Sequence, residues 1–352
     1  MRYFHIGIFD WGNAGDTVLI QATEDLIDKD GSWEKWPLSS VPMPGEIIID
    51  HINRLSDAVV IGGGGFLMPS PTVSGWSVGF PKESWEKIEK PIIVWGLGWS
   101  QFRYNSEFNE HFVDNINCLV DRAEFFSCRN YGSIKALKAH LKPALRKKIK
   151  FQPDATTVAS LVYPQYENHP LEHDIVFEPA MDCPVERFND RRDEVLNALA
   201  YAVGEIGRVT VALHRGRKGV PDLDEDMIPF LVKHGVPHTV QNLYYQSPET
   251  VLDFYAGSSL TLGMRGHGAM IPFGLGHPFI PIVSHDKLTF FCDDIGFGHG
   301  VDVEDRDFKS KLVKMTRELD RDAFREQIRK AKENLWEITQ ENLTEIRTIL
   351  GR

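Results

Sequence analysis

An arginine and a histidine stand one residue apart at 265 and 267, inside "TLGMRGHGAMIPFGLGHPFIPI" (261–282). Apolar runs lie on both sides, and Gly263, Gly266 and Gly268 surround the pair. Histidine titrates near neutrality and can deliver a proton, while arginine supplies a fixed positive charge. On an extended backbone Arg265 and His267 point to the same side, and the glycines keep that side open. The competing reading is a structural histidine bonded to backbone. Arg-x-His within a glycine loop at a strand end favours a chemical role.

Other residues could share that chemistry. Arg129 follows the apolar run "AEFFSC", where its planar fork would suit a carboxylate or phosphate, or simply pair with a surface acid. Two glycine loops, "GNAGD" (12–16) and "GGGG" (62–65), let a ligand approach the backbone, and free N–H groups at a helix start attract anions. Each is equally a tight turn. They bring Asn13, Asp16, Gly63 and Gly64 forward as contacts. "HRGRKG" (214–219) is a basic cluster containing His214 and Arg215, and Lys287 lies just past another apolar run. His285, beside it, reads as structural. Neither GxGxxG nor GxxxxGK[ST] occurs, so the common dinucleotide and nucleotide fingerprints find no support. "FCDDIGFGHG" carries acids and a histidine at no recognisable ligand spacing, so no metal site is expected.

These residues need a scaffold. Short apolar runs at 3–9, 57–67, 91–100, 123–130 and 149–161 alternate with helical patterns, such as "GNAGDTVLIQATEDLI" with Asp16 as its N-cap. The pattern restarts with strands at 173–179 and 208–219, separated by a helix carrying Val195, Leu196, Leu199 and Val203. A short helix at 247–258, strands at 259–267 and 278–285, and a long amphipathic helix over 320–350 complete the chain. Alternating strands and helices imply parallel sheets covered on both faces. The expected architecture is α/β, with two domains, 1–165 and 166–352, joined near the polar stretch 162–172. Ligands of such sheets sit beyond the carboxyl ends of the strands, so the cleft between the domains is the expected site.

Composition narrows the partners. The 352 residues are 42% hydrophobic and 25% charged, with a net charge of −11. That acidity argues against a general nucleic-acid binder. An anionic ligand must therefore meet local clusters of Arg, Lys and backbone N–H. Cys118, Cys128, Cys183 and Cys292 are widely spaced, which suits a reducing compartment. No run of 18 apolar residues occurs, so no membrane span is expected and the chain reads as cytoplasmic.

Taken together and in order, these segments resemble the polysaccharide pyruvyl transferase family. "GNAGDTVLIQAT" is similar to its Asn-x-Gly-Asp loop and helix, "DAVVIGGGGFL" to its glycine-rich motif, and "PIIVWGLGWS" to its Gly-x-Gly strand end. "FFSCRNYGSIKAL", "FQPDATTVASL" and "TLGMRGHGAMIPFGLGHPFIPIVSHDKLTFF" resemble its Arg, Asp and Arg-x-His blocks. The resemblance implies two Rossmann-like domains facing across a cleft, similar to the GT-B glycosyltransferases. It implies transfer of a pyruvyl group from phosphoenolpyruvate to two sugar hydroxyls, forming a ketal without metal or cofactor. Arg129 and Arg265 would hold the donor's phosphate and carboxylate, His267 would be the general acid, and Gly266 would lie against the donor through its backbone. The acceptor would be a free, lipid-linked or nucleotide-linked saccharide. Two features depart from the family pattern. Glycine follows Arg265 where many members carry a larger residue, and Trp76 and Trp85 follow "GGGG", able to stack on sugar rings or to pack a loop. The alternative reading is a GT-B-type glycosyltransferase using a nucleotide sugar, with "HRGRKG" meeting the diphosphate.

Overall fold

The apolar runs become strands and the patterned segments between them become helices. The computed structural model of the protein describes residues 1–9, 12–38, 45–104, 107–167, 169–215, 223–298 and 300–352. The first part contains β1 (Arg2–Gly7), α1 (Ala14–Asp28), β2 (Ser32–Pro37), α2 (Glu46–Leu55), β3 (Ala58–Leu67), α3 (Lys82–Lys87), β4 (Ile92–Trp99), α4 (His111–Arg122), β5 (Phe125–Cys128), α5 (Tyr131–His140), β6 (Ile149–Phe151) and α6 (Ala159–Val162). The second contains β7 (His173–Glu178), α7 (Pro184–Phe188), α8 (Arg192–Ile206), β8 (Val209–Leu213), α9 (Ile228–Lys233), β9 (His238–Asn242), α10 (Pro248–Ala256), β10 (Ser258–Gly263), α11 (Gly266–Leu275), β11 (Phe279–Val283), α12 (Asp286–Asp294), β12 (Val301–Asp302), α13 (Phe308–Glu318) and α14 (Arg321–Ile349).

Among the described residues these strands form two six-stranded sheets, ordered β2-β1-β3-β4-β5-β6 and β12-β11-β10-β7-β8-β9. The ladders within both are parallel. In each, consecutive strands part company next to the first strand, leaving a crevice at the carboxyl ends. Those crevices lie after β1 and β3 in one sheet and after β7 and β10 in the other. No helix among the described residues is long and apolar enough to cross a membrane.

Local chemistry sets the helix starts. α1 is capped by Asn13, whose side chain accepts from Gly15 N, so Asp16 lies in the first turn and is not the cap. Ser247 caps α10 with Pro248 behind it, and Asp320 caps α14 through two backbone N–H groups. The glycines of "GGGG" stay inside β3, paired with β4 up to a register shift between Gly64 and Leu67, and do not form a separate loop. β2 and β9 carry weak apolar patterns because each is an edge strand with much of its surface in water. Trp76 and Trp85 are fully buried, and both indole N–H groups point at Asn115 Oδ1, at 2.8 and 3.3 Å. They pack the loop after β3 and offer no face to a sugar.

Two helices bind the halves together. α14 begins beside the second sheet, with Arg321 on Asp174 and Ser259, and ends beside the first, where Asn342 donates to Phe151 O. Its buried side carries Phe324, Ile328, Leu335, Leu343 and Ile346, in one cluster with residues from both sheets. α11 is buried along its whole length. Near its end a Cβ on Gly274 would lie 1.8 Å from Thr156 O, so only glycine allows this approach to the turn after β6. Gly274→Ala is expected to destabilise the fold by about 1–3 kcal/mol through overpacking, read as a lower denaturant midpoint at unchanged slope.

Candidate active site

The carboxyl ends of both sheets open into one cavity of about 310 Å³. Its wall takes Asn13 and Asp16 from the start of α1, Gly65 from β3, Arg129 after β5, and Asp182 and Cys183 after β7. Arg215 comes from the loop after β8, Arg265, Gly266 and His267 from the start of α11, and His285 and Lys287 from the start of α12. The starts of α1, α11 and α12 thus present their N-terminal turns to the same space, which favours an anionic ligand.

One carboxylate ties the first group together. Asp154 Oδ2 lies 3.1 Å from Arg129 Nη1 and 3.5 Å from His267 Nε2. Its other oxygen accepts from the backbone and hydroxyl of Thr156. Burial opposes its charge, but His267 and Arg129 hold its carboxyl well below the usual range. Arg129 Nε has no hydrogen-bond partner, although the residue is buried. The space around its fork exists because residue 98 is glycine, where a Cβ would stand 2.3 Å from Nε. His267 is positioned from the other side by α1. Its ring lies against Gly15, and its Nδ1 faces Asp16 Oδ1 at 3.8 Å. Burial raises the Asp16 pKa against the opposing pull of His267, Lys287, Arg129 and Arg215.

Arg265 sits differently from its expected pose. The helix begins at Gly266, so 265 and 267 are not on one extended segment and their side chains diverge. The Arg265 fork is surrounded by Asp182 (2.8 Å), Asp224 (2.5 Å) and Glu178 (3.1 Å), with the Glu178 contact poorly aimed. Glu178 Oε2 also accepts the backbone N–H groups of Met264 and Arg265, which fixes the entry into α11. Asp182 binds Arg187 and Arg215 at 2.9 Å each. Burial opposes the charge on Asp182, but Arg187, Arg265 and Arg215 hold its carboxyl well below the usual range. Burial pushes Glu178 well up despite Arg265.

Lys287 faces this arrangement from α12. Its ammonium has no hydrogen-bond or ion-pair partner among the described residues. Burial, then Arg187 and Arg129, push it down to about 7, with Asp182 opposing. Among the described cations of the wall, Arg129 Nε and the Lys287 ammonium are therefore uncommitted donors, while Arg265 is held by Glu178, Asp182 and Asp224.

The remaining sequence candidates fall into two groups. Gly63 and Gly64 lie within β3 behind the wall, packed toward Leu19 and Phe66, and Gly65 takes the lining position. His214 is buried beneath the site, bonded to the Tyr255 hydroxyl, with its carbonyl accepting Ala14 N at 2.9 Å. Arg215 reaches the wall, whereas residues 216–219 of "HRGRKG" lie outside the described residues. Gly266 leaves space that the protein does not need. A Cβ there would meet only ordinary contacts at 3.6 Å or more. Asp154 is the aspartate of the "FQPDATTVASL" block, which motif reading matched without giving that residue a role. The residues it did not single out are Glu178, Asp182 and Asp224, together with Arg187, and of these only Glu178, at the end of β7, carries a positional signal. Among the described residues no group of three or more His, Cys, Asp or Glu side chains is arranged to hold a metal ion.

Comparison with known proteins adds the lineage. The fold is shared with UDP-GlcNAc 2-epimerase from Neisseria meningitidis bound to UDP-GlcNAc, at 11% identity and a TM-score of 0.53, covering 93% of this chain and 94% of that one. It is shared with Methanocaldococcus jannaschii UDP-GlcNAc 2-epimerase in complex with UDP-GlcNAc and UDP, at 12% identity, TM-score 0.54, and 90% and 92% coverage. An alpha-glucosyltransferase in complex with UDP and a 13-mer DNA matches at 10% identity, TM-score 0.50, and 100% of each chain. These likenesses show the two-sheet, GT-B-like architecture and nothing of the chemistry. No curated protein sequence matches the chain. The sequence model of the polysaccharide pyruvyl transferases does match it, over residues 13–286. That span runs from the Asn13 cap of α1 to the start of α12 and takes in every cavity cation except Lys287, which follows it directly. The chain belongs to the polysaccharide pyruvyl transferase family.

Proposed function

We propose that the protein transfers the pyruvyl group of phosphoenolpyruvate to two hydroxyls of a saccharide, forming a ketal and releasing phosphate. The observation that carries this reading is the Arg129–Asp154–His267 triplet facing the unpartnered Lys287 across one cavity. Phosphoenolpyruvate bears two anionic groups on three carbons. Arg129 and Lys287 can each take one, and the N-terminal turn of α11 at Gly266 adds backbone N–H groups. Arg265 then acts from behind, holding Asp182 and the α11 entry in place.

The chemistry needs a proton at the methylene carbon before an oxygen can add beside it. His267 gives that proton to C3, and the electron pair of the C2–C3 bond forms the new C–H bond. The first acceptor hydroxyl forms a C–O bond at C2 and loses its proton. The second hydroxyl then forms its own C–O bond at C2 as the bond to phosphate breaks. Of the two hydroxyl protons, one replaces that given by His267 and the other leaves with phosphate. Arg129 and Lys287, aimed at the departing charge in a water-poor cavity, stabilise that step. Asn13, Asp16 and Arg215 border the same space and are assigned to positioning the substrates.

Calorimetry with phosphoenolpyruvate, without metal, tests the donor. Saturable binding is expected, weakened about 10–100-fold in Lys287→Ala, the range for a hydrogen bond to a charged group. Binding of a nucleotide sugar with none of phosphoenolpyruvate would replace this reading with a glycosyltransferase.

His267→Ala is expected to keep donor affinity within a few fold while turnover falls by about 10²–10⁴. Normal turnover of that variant would remove the histidine from the mechanism.

The pH dependence follows from Lys287. Its free value is about 7, and a bound anion raises it. Donor affinity is then fully present below pH 7 and declines above it, by up to about tenfold per unit until the bound value is passed. Binding above pH 7 takes up a proton, measurable in buffers of different ionisation enthalpy. Lys287→Arg, charged throughout, is expected to flatten the profile.

A further inference from the structure

The donor cavity has a neighbour. Met68, Phe102 and Cys183 line it and also line a second groove of about 430 Å³. Pro69, Pro71, Glu107 and Glu186 form most of the rest of that groove.

Its walls are held in place. The loop after β3 closes on itself through a Pro69–Trp76 bridge, and Asn109 Nδ2 donates to Ser70 O and Thr72 O. The Phe102 ring is fixed by Arg187, 5.2 Å from its centroid, and by the edge of His285 at 4.7 Å. Next to it, Arg103 crosses to the second half and grips Asp302 through two nitrogens, at 2.9 and 2.7 Å.

The two spaces differ in charge. The described cavity wall carries Arg129, Arg215, Arg265 and Lys287 against two acids, Asp16 and Asp182. The described groove wall carries no Lys or Arg, and its two charged residues are Glu107 and Glu186. Neither of those carboxylates has a hydrogen-bond or ion-pair partner among the described residues. A phosphate in the groove would face two like charges. An uncharged polyol would instead donate its hydroxyls to them, and carboxylates are strong acceptors for that purpose. Its C–H faces would rest on Phe102, Met68 and the two prolines.

We infer that this groove is the acceptor subsite and that it seats an uncharged saccharide end, with the reacting hydroxyls at the Met68–Phe102–Cys183 junction. The assignment rests on the pyruvyl transfer reading for what happens at that junction. Any diphosphate carried by the acceptor is kept out of the groove.

The test uses the full chain on an array of immobilised glycans, neutral ones beside ones bearing carboxylate, phosphate or diphosphate groups, with and without phosphoenolpyruvate. Wild type is expected on neutral glycans. The double variant Glu107→Lys, Glu186→Lys is expected to lose that signal tenfold or more and to gain on anionic glycans, with donor affinity not weakened by calorimetry. Unweakened donor affinity also shows that the variant is folded. Preference of wild type for anionic glycans, retention of no neutral glycan, or neutral binding unchanged in the double variant would each overturn the assignment. Neutral glycans bound through the groove without any phosphoenolpyruvate binding would keep the saccharide site and overturn the donor reading instead.

Discussion

The arrangement of the site depends on the Asp154 carboxylate. It accepts from Arg129, which rises from the first sheet, and faces His267, which arrives on a helix of the second. All three residues are buried. A charge in such a place is tolerable only while it is paired, and removing one partner leaves the other uncompensated at a cost of about 3–5 kcal/mol. The two halves are therefore not free to slide at this point. The same turn that holds Asp154 also receives Gly274 at the far end of α11. One helix thus carries the histidine at its start and is locked against the opposite sheet near its end.

Around that point the protein separates its charges by depth. A chain with a net charge of −11 gathers four cations and two histidines on the described wall of one cavity. It keeps the wall stable by pairing Arg265, Arg187 and Arg215 with Asp182 on the wall and setting Glu178 and Asp224 behind it, against Arg265. Among the described cations of the wall, Arg129 Nε and the Lys287 ammonium stay uncommitted. Cations outnumber acids on the described wall although the molecule is acidic. That difference between local and overall charge lets an acidic protein present a site for a small dianionic donor.

The shared architecture with UDP-sugar enzymes shows how little the fold fixes. At 10–12% identity the same two-sheet architecture supports those proteins and this one, so function has to be argued from the site and not from the fold. Here the β3 glycines bring the backbone in close. Gly65 alone borders the cavity, while its neighbours pack against α1 and Phe66. The large tryptophans that follow are spent on the core, both indoles bonded to Asn115.

Much of this was legible in the order of residues. Alternating apolar runs and helical patterns determined two parallel sheets, because strand and helix periods are local properties. The long C-terminal helix followed from its apolar face for the same reason. Motif order, with Arg129, Arg265, His267 and Lys287 each at a strand end, determined the family and pointed at one cleft. The edge strands β2 and β9 were not legible, since half-solvated strands lack an apolar signature. Nor could a sequence decide that Asn13 caps α1 in place of Asp16, because both types cap helices equally well. Above all, only the tertiary structure decided which cations are free. Arg265 and Lys287 read alike along the chain, but one is enclosed by three carboxylates, the most distant of them 87 residues away in sequence, and the other is not. Charge compensation depends on distance through space, and no linear pattern of residue types encodes that distance.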